Sequence, residues 1–165
     1  MRTVSVIIAA YNRCEDLKKV LESLLAQKVE GKFTYEVLVV DNNSKDATRQ
    51  AVESYIRKFS SPEIKNGCLG LRYFIETRQG KSYALNRGVQ EAQGDIIAFT
   101  DDDVLVDPYW LIHLVECFEK YGCDGAGGRV IPVYPQRTPK WIRENPTKLA
   151  GVVVIADYGE ETKPF

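Results

Sequence analysis

The feature that most constrains the fold is a regular alternation of apolar runs with amphipathic segments. Two of the runs, "VSVIIAA" at residues 4–10 and "YEVLVVD" at residues 35–41, are rich in β-branched side chains, which is typical of strands buried on both faces. Further strands are predicted at residues 71–76 and 95–100, and a helical segment follows each strand. This order predicts a mostly parallel sheet between helices, a three-layer α/β/α sandwich.

Capping residues mark where the predicted helices begin. In "RCEDLKKVLESLLAQ" the apolar positions fall on one helical face, and Asn12 just before it is a suitable N-cap. The second helix is predicted to start near Ser44, and the third lies between the glycines of "GKSYALNRGVQEAQG". Asp107 and Pro108 supply an N-cap and a first-turn proline for the fourth helix.

Charge, hydropathy and cysteine spacing exclude several functions. A formal net charge of −1 provides no basic field for a nucleic-acid backbone, and the four cysteines show no CxxC spacing for zinc. The apolar run "VVVIA" is far too short to cross a bilayer, and the N-terminus reads as a strand rather than a signal peptide. We therefore expect no nucleic-acid partner, no transmembrane segment in this chain and a cytoplasmic location. Peripheral attachment at the inner membrane face is the alternative for a longer form.

A polar segment follows each of the four predicted strands. The segments are Tyr11 with Asn12, then residues 41–44, 77–81 and 101–103. Because ligands bind beyond the carboxyl ends of the strands in an open parallel sheet, we expect these segments to lie along one edge. An aromatic ring, amides, carboxylates and two cations at one edge suit a nucleotide.

Each of these groups suits one part of a nucleotide. Tyr11 can stack on a base, and Asp41 and Asn42 can bond to the base or the ribose. Arg78 or Lys81 can meet a phosphate. Taken singly, "DNNS" is a common turn and Lys81 an ordinary solvated lysine, so the interpretation depends on the convergence of the segments.

The three consecutive aspartates of "IIAFTDDDV" are the most informative of the four segments. Like charges this close are unfavourable unless something positive neutralises them. Asp101 and Asp103 are two residues apart, so on an extended chain they face the same way. Their hard oxygen ligands suit Mg²⁺ or Mn²⁺ bridging to a diphosphate, whereas for the segment alone a solvated loop is the alternative.

Other nucleotide-binding motifs do not fit the sequence. "GKS" at residues 80–82 matches the end of a phosphate-binding P-loop, but the earlier glycine of that motif is replaced by Ile75. The first turn, "AAYNRCEDL", lacks the GxGxxG of dinucleotide-binding domains. It also lacks the Gly-rich, basic signature of nucleotidyltransferases, which makes nucleotidyl transfer or hydrolysis a weaker hypothesis.

These motifs together resemble the family 2 glycosyltransferases, which have the GT-A (Rossmann-like) fold. The matching stretches lie between residue 4 and about residue 111, and they are "VSVIIAAYNR", "VLVVDNNSKDAT", "GKSYALNRGVQEAQGDIIAFTDDDV" and "DPYWL". The resemblance implies a nucleotide-sugar donor, a divalent metal and inversion at the anomeric carbon. Family members often have Asp-Asp where this chain has Asp41 and Asn42, so the resemblance leaves the base open.

The resemblance also implies roles for individual residues. It places Tyr11 at the base-binding turn and makes Asp101 and Asp103 the outer positions of a DxD motif, with Asp103 as the direct metal ligand. Together with the argument from the strand ends, it gives a nucleotide site of Ala10, Tyr11, Asn12, Asp41, Asn42, Arg78, Lys81, Asp101 and Asp102, and a metal pair of Asp101 and Asp103.

The last part of the chain is expected to be organised differently. "GCDGAGGRVIPVYPQRTPKWIRENP" is rich in Gly, Pro and Arg, with one strand expected through residues 128–133 and another at 152–156. Family members continue into an acceptor-side half that carries a catalytic carboxylate. We therefore expect residues 1–125 to be the nucleotide-sugar-binding half, residues 126–165 to begin an incomplete acceptor-side half, and the base to lie beyond Phe165 rather than at Asp157, Glu160 or Glu161.

The predicted function is metal-dependent, inverting transfer of a sugar from a nucleoside diphosphate. A UDP-sugar is the expected donor, and a saccharide or lipid-linked molecule the expected acceptor, as in the synthesis of cell-surface polysaccharides. The alternative is a non-catalytic nucleotide-sugar binding module or an inactive fragment, which would share the donor site and lack the base.

Overall fold

The computed structural model describes residues 1–61 and 67–144 and confirms the predicted alternation of strands and helices. The chain divides into two compact units, Met1–Val115 and Glu116–Phe165. The elements in chain order are β1 (Arg2–Ala10), α1 (Cys14–Leu25), β2 (Phe33–Asp41), α2 (Thr48–Phe59), β3 (Cys68–Ile75), α3 (Lys81–Glu91), β4 (Ile96–Asp101), α4 (Trp110–Tyr121) and α5 (Lys140–Arg143).

The four strands form one all-parallel sheet in the order β3-β2-β1-β4. Strand order therefore reverses between β1 and β4, since β2 lies on one side of β1 and β4 on the other. Right-handed crossovers then place α1 and α2 on one face of the sheet and α3 on the opposite face. In agreement, α2 packs against α1 and β3, while α3 packs against β1 and β2. The predicted three-layer arrangement is confirmed.

The core lies mainly around the two central strands. Every residue of β2 except Thr34 is buried, and in β1 the residues from Val4 to Ile8 are buried, because helices cover both faces. The edge strand β4 instead alternates between buried and exposed residues. A Cβ atom added to Gly88 of α3 would lie 2.4 Å from Cγ2 of Ile7, so this glycine lets α3 approach β1 closely.

The start of α1 differs from the prediction. The N-cap position is occupied by Arg13, and Asn12 precedes it in the left-handed region with φ of 51°. Asp46, from the segment after β2, accepts the N–H of Cys14 at 2.9 Å. The prediction of Asn12 as the N-cap was wrong because a carboxylate from another part of the chain satisfies the first turn.

The same aspartate sets the start of α2. This helix begins at Thr48 rather than near Ser44, since Asp46 accepts the Thr48 N–H at 3.1 Å and its hydroxyl at 2.6 Å. The predicted cap of α4 has the expected contact, because Asp107 accepts the N–H of Tyr109 at 2.8 Å.

The second unit is described as far as residue 144. Over residues 128–133 the predicted strand was wrong: in the described part of this unit only Val130 makes an isolated β-bridge. Glycines that pack no side chain precede it and Pro132 cannot donate to a strand ladder, so both oppose a continuous strand. The strand predicted at 152–156 and the carboxylates at positions 157, 160 and 161 lie outside the described residues. None of the helices within residues 1–61 and 67–144 is long and apolar enough to cross a membrane.

Candidate functional site

The carboxyl ends of the four strands surround an open cleft of about 310 Å³ in the first unit. It lies beyond the ends of β1 and β4, where strand order reverses, which is where open α/β sheets bind ligands. All four predicted polar segments contribute to it. The lining residues are Ala9, Ala10, Tyr11, Arg13, Asn42, Gln79, Gly80, Lys81, Asp101, Asp102 and Asp103.

Residues 101–103, the acidic triplet, are held between two cations. Asp101 ends β4 and is paired with the Lys81 ammonium, while Asp103 is paired with the Arg13 guanidinium. Asp102 accepts the backbone N–H of Tyr11 at 3.0 Å. Burial, followed by the charges of its two neighbours, raises the pKa of Asp102.

The three carboxylates differ in how open they are. The side chains of Asp101 and Asp103 are 49% and 41% exposed, whereas that of Asp102 is 14% exposed. The outer two therefore present oxygen atoms to the cleft, and the middle one fixes the turn after β1. Such hard oxygen donors fit Mg²⁺ or Mn²⁺. In the described residues no group of three or more His, Cys, Asp or Glu side chains could hold a metal, so a cation here needs ligand or water oxygens as well.

Asp41 is placed outside the lining of the cleft. Its side chain accepts the N–H of Ser44 at 2.8 Å and the hydroxyl of Tyr73 at 2.7 Å. Burial and the bond to Asp41 raise the pKa of Tyr73, which keeps that hydroxyl a donor. Asp41 thus organises the turn after β2, where Asn43 has φ of 65°.

Asn42 lines the cleft, but its amide is engaged within the protein. The residue is 3% exposed, and its Nδ2 donates to the carbonyls of Glu76 and Arg78 at 3.1 and 2.7 Å. Its Oδ1 accepts the N–H of Gly80 at 2.7 Å. An aspartate could not donate the first two bonds. The asparagine therefore clamps residues 76–80, of which Gln79 and Gly80 line the cleft.

Arg78 and Asn12 are not among the described residues that line the cleft. Arg78 donates from Nε and Nη2 to the carboxylate of Glu76 at 3.1 and 3.0 Å and lies over the ring of Tyr83. Hydrogen bonds from Arg78 lower the pKa of Glu76 to about 2. Asn12 accepts the N–H of Lys45 at 2.7 Å, which joins the turns after β1 and β2.

Several residues of the cleft were not predicted from the sequence. Arg13 is the most important, because it contacts Asp103 and its Nε lies 4.0 Å from Asp102. Gln79 and Gly80 belong to the segment 77–81 that was predicted to reach this edge, but neither was assigned a role, although Gly80 has φ of 140°, a conformation that favours glycine. The sequence does show a cation soon after the end of β1, at Arg13. Its pairing with Asp103, however, depends on β1 and β4 being neighbours in the sheet.

The chain belongs to the family described as Glycosyl transferase family 2, whose model matches residues 5–162. It is 32% identical over 178 aligned positions to the Glycosyltransferase AglE of Haloferax volcanii. That alignment covers 98% of this chain and 55% of AglE, so the chain spans about half the length of this relative.

Solved structures of glycosyltransferases share the fold, which is GT-A. Staphylococcus aureus TarS 1–349 in complex with UDP has a TM-score of 0.62 and 26% identity, over 81% of this chain and 38% of TarS 1–349. The mannosyltransferase PcManGT from Pyrobaculum calidifontis, in complex with GDP-Man and Mn²⁺, has a TM-score of 0.56 and 30% identity. The match covers 82% of this chain and 36% of PcManGT.

Proposed function

We propose that this chain provides the donor site of a metal-dependent, inverting glycosyltransferase that uses a nucleoside diphosphate sugar, with a UDP-sugar as the first candidate. The observation that carries the proposal is the acidic triplet with its two cations in a cleft where strand order reverses. Residues 1–125 would hold the donor, and residues from 126 onward would begin the acceptor side.

The cleft offers a place for each part of the donor. Tyr11 is 47% exposed at the end of β1, where its ring can cover a base. Gln79 lines the same cleft, and its amide, which donates to Asn42 Oδ1 at 3.4 Å, can also meet polar atoms of the base. Lys81 and Arg13 supply positive charge for the diphosphate, and the outer carboxylates, Asp101 and Asp103, would hold the divalent cation.

The chemistry proposed for the site is attack of an acceptor hydroxyl on the anomeric carbon, in line with the departing diphosphate. A divalent cation at the triplet would neutralise charge on that leaving group. The cations at positions 13 and 81 would stabilise the same charge from either side of the triplet. A saccharide or lipid-linked molecule is the proposed acceptor, as in the synthesis of cell-surface polysaccharides.

The base that deprotonates the acceptor is proposed to come from outside the described residues. Among the described residues that line the cleft, the triplet supplies every carboxylate, and all three are engaged with protein donors.

The same observation favours a second candidate, a nucleotide-sugar binding module without catalysis. Sugar release from UDP-sugars, measured with and without saccharide acceptors, distinguishes the two. An acceptor-stimulated rate that Asp157→Asn or Glu160→Gln abolishes would put the base in this chain.

The test of the donor site is calorimetry with UDP, GDP and dTDP, each with and without Mn²⁺. We expect UDP to bind with Mn²⁺ and binding to weaken by roughly 30-fold or more in Asp103→Asn, since a metal ligand is lost. The matched control is Asp16→Asn, which changes an exposed aspartate of α1 that pairs only with Lys19 among the described ion pairs. Binding of none of the nucleotides, or binding indifferent to both Mn²⁺ and Asp103→Asn, would contradict the proposal.

A further inference from the structure

We propose that Arg13 and Lys81 are internal counter-cations of the acidic triplet, and that a divalent cation and a nucleoside diphosphate load the cleft together by exchanging partners with them. This inference rests on the proposed function and adds to it the order in which the site fills. Before loading, the two side chains hold the triplet; after loading, they hold the diphosphate.

The geometry supplies the first argument. The Arg13 guanidinium contacts Asp103 Oδ2 and the Lys81 ammonium contacts Asp101 Oδ1, so each cation occupies an oxygen atom of a predicted metal ligand. The two side chains come from different segments, the turn after β1 and the first residue of α3. Both residues line the cleft, so rotation of their side chains can bring the guanidinium and the ammonium to a bound diphosphate without movement of the backbone.

Charge supplies the second argument. Three carboxylates and two cations leave one net negative charge in the cluster. A divalent cation alone would make the cluster positive and would face a guanidinium and an ammonium at close range. The diphosphate of a nucleotide sugar carries two negative charges, so its complex with a divalent cation is neutral and leaves the charge of the cluster unchanged. Joint loading is therefore favoured over loading with metal alone.

Exposure supplies the third argument. The side chains of Arg13 and Lys81 are 50% and 58% exposed, and exposed ion pairs contribute little to folding stability. Breaking them is easy, and the fold does not depend on them. A planar guanidinium also binds phosphate oxygens in a bidentate manner, so Arg13 gains a partner as good as the one it leaves.

Binding measurements on Arg13→Gln test the exchange. Mn²⁺ binding is followed by the electron paramagnetic resonance signal of free Mn²⁺, without nucleotide and with saturating UDP. Removing the competing cation should tighten binding of Mn²⁺ alone by roughly fivefold or more, and should reduce the coupling between Mn²⁺ and UDP by at least as much. Arg13→Lys keeps the charge and should leave the affinity for Mn²⁺ alone near that of the wild type.

The control is Arg49→Gln, which removes an exposed arginine of α2 that pairs with Glu53 and should change neither affinity. Circular dichroism confirms that each variant is folded. One outcome is that the wild type binds Mn²⁺ and UDP while Arg13→Gln binds Mn²⁺ without nucleotide no more tightly than the wild type does. In that case the proposed exchange of partners is wrong and the proposed donor site stands. If the folded wild type does not bind UDP in the presence of Mn²⁺, the proposed function fails and this inference fails with it.

Discussion

Two acidic sites in the first unit pair with arginine, the single residue Glu36 and the acidic triplet, but they differ in what surrounds them. Glu36, in β2, is 4% exposed and accepts the Ser5 hydroxyl at 2.7 Å and the Gln93 N–H at 2.8 Å. Its second oxygen accepts Arg72 Nη1 at 3.1 Å. In the acidic triplet, by contrast, the outer carboxylates stay exposed to the cleft and their cations reach them from the rim.

The difference separates a structural carboxylate from carboxylates that we propose to bind a ligand. Burial alone would raise the pKa of Glu36, yet the bonds from Ser5, Gln93 and Arg72 bring it below its ordinary value. Those donors come from β1, from β3 and from the connection between α3 and β4, so Glu36 ties these parts together. The triplet keeps oxygen atoms that a ligand can reach, which makes it suitable for exchange of partners.

The largest effect we predict is on stability, at Glu36. In Glu36→Gln an amide N–H₂ faces Arg72, which breaks a buried pair and should lower the free energy of unfolding by about 3 kcal/mol. Glu53→Gln, which alters an exposed ion pair, should change it by less than about 0.5 kcal/mol. Urea denaturation measures both. Equal effects of the two substitutions would mean that the buried network has no special structural role.

A smaller effect is expected at Asn42, which is buried like Glu36 but borders the cleft like the triplet. Asn42→Asp loses two donated bonds and sets a carboxylate beside two carbonyls, so unfolding should become easier by about 2 kcal/mol. Because residues 76–80 lose their clamp, UDP affinity should fall as well.

Asn43→Asp is the matched control for this substitution. Asn43 is a turn residue with φ of 65°, which aspartate also adopts, and its effect on stability should stay below about 0.5 kcal/mol. Denaturation and calorimetry on the same samples compare the two variants. A stable Asn42→Asp protein with stronger UDP binding would instead make position 42 a direct contact to the base.

The smallest effect concerns acid stability at Glu76, because the Arg78 side chain is 66% exposed and solvent screens its pair with this carboxylate. Its pKa is about 2 in the folded protein against an ordinary value of 4.5, so the carboxylate stabilises the fold above pH 4.5 and loses that contribution as the pH falls toward 2. Glu76→Gln should therefore lose less stability than the wild type across this window. Parallel pH profiles of the free energy of unfolding would show that the pair with Arg78 does not contribute.

Local patterns in the sequence predicted the elements of the first unit but not the contacts between them. Strands β1 and β2 were evident because continuous β-branched runs have few alternatives in an α/β chain. The roles of Asp46 and Arg13 were not evident, because each acts on a segment distant in sequence. Asp46 caps two helices from a loop, and Arg13 reaches the triplet only because β4 pairs with β1.

For the same reason, the sequence predicted in outline which segments come together at the cleft. The carboxyl ends of parallel strands meet at one edge whatever the strand order, so the triplet, Tyr11 and Lys81 could be placed together. Whether a side chain points into the cleft or back into the protein depends on its hydrogen-bond partners. Asp41 and Arg78 turned to Tyr73 and Glu76, neither of which had been considered as a partner.

The central claim is that the acidic triplet holds a divalent cation that carries the diphosphate of the donor. The most direct measurement compares the affinities of UDP and uridine, each with and without Mn²⁺, by calorimetry on the wild-type chain. Uridine keeps the base and ribose but lacks the diphosphate. Mn²⁺ should tighten UDP by roughly tenfold or more and leave uridine unchanged, since only UDP offers phosphate oxygens to the metal. An equal response of both ligands to Mn²⁺, or a response of neither, would contradict the claim.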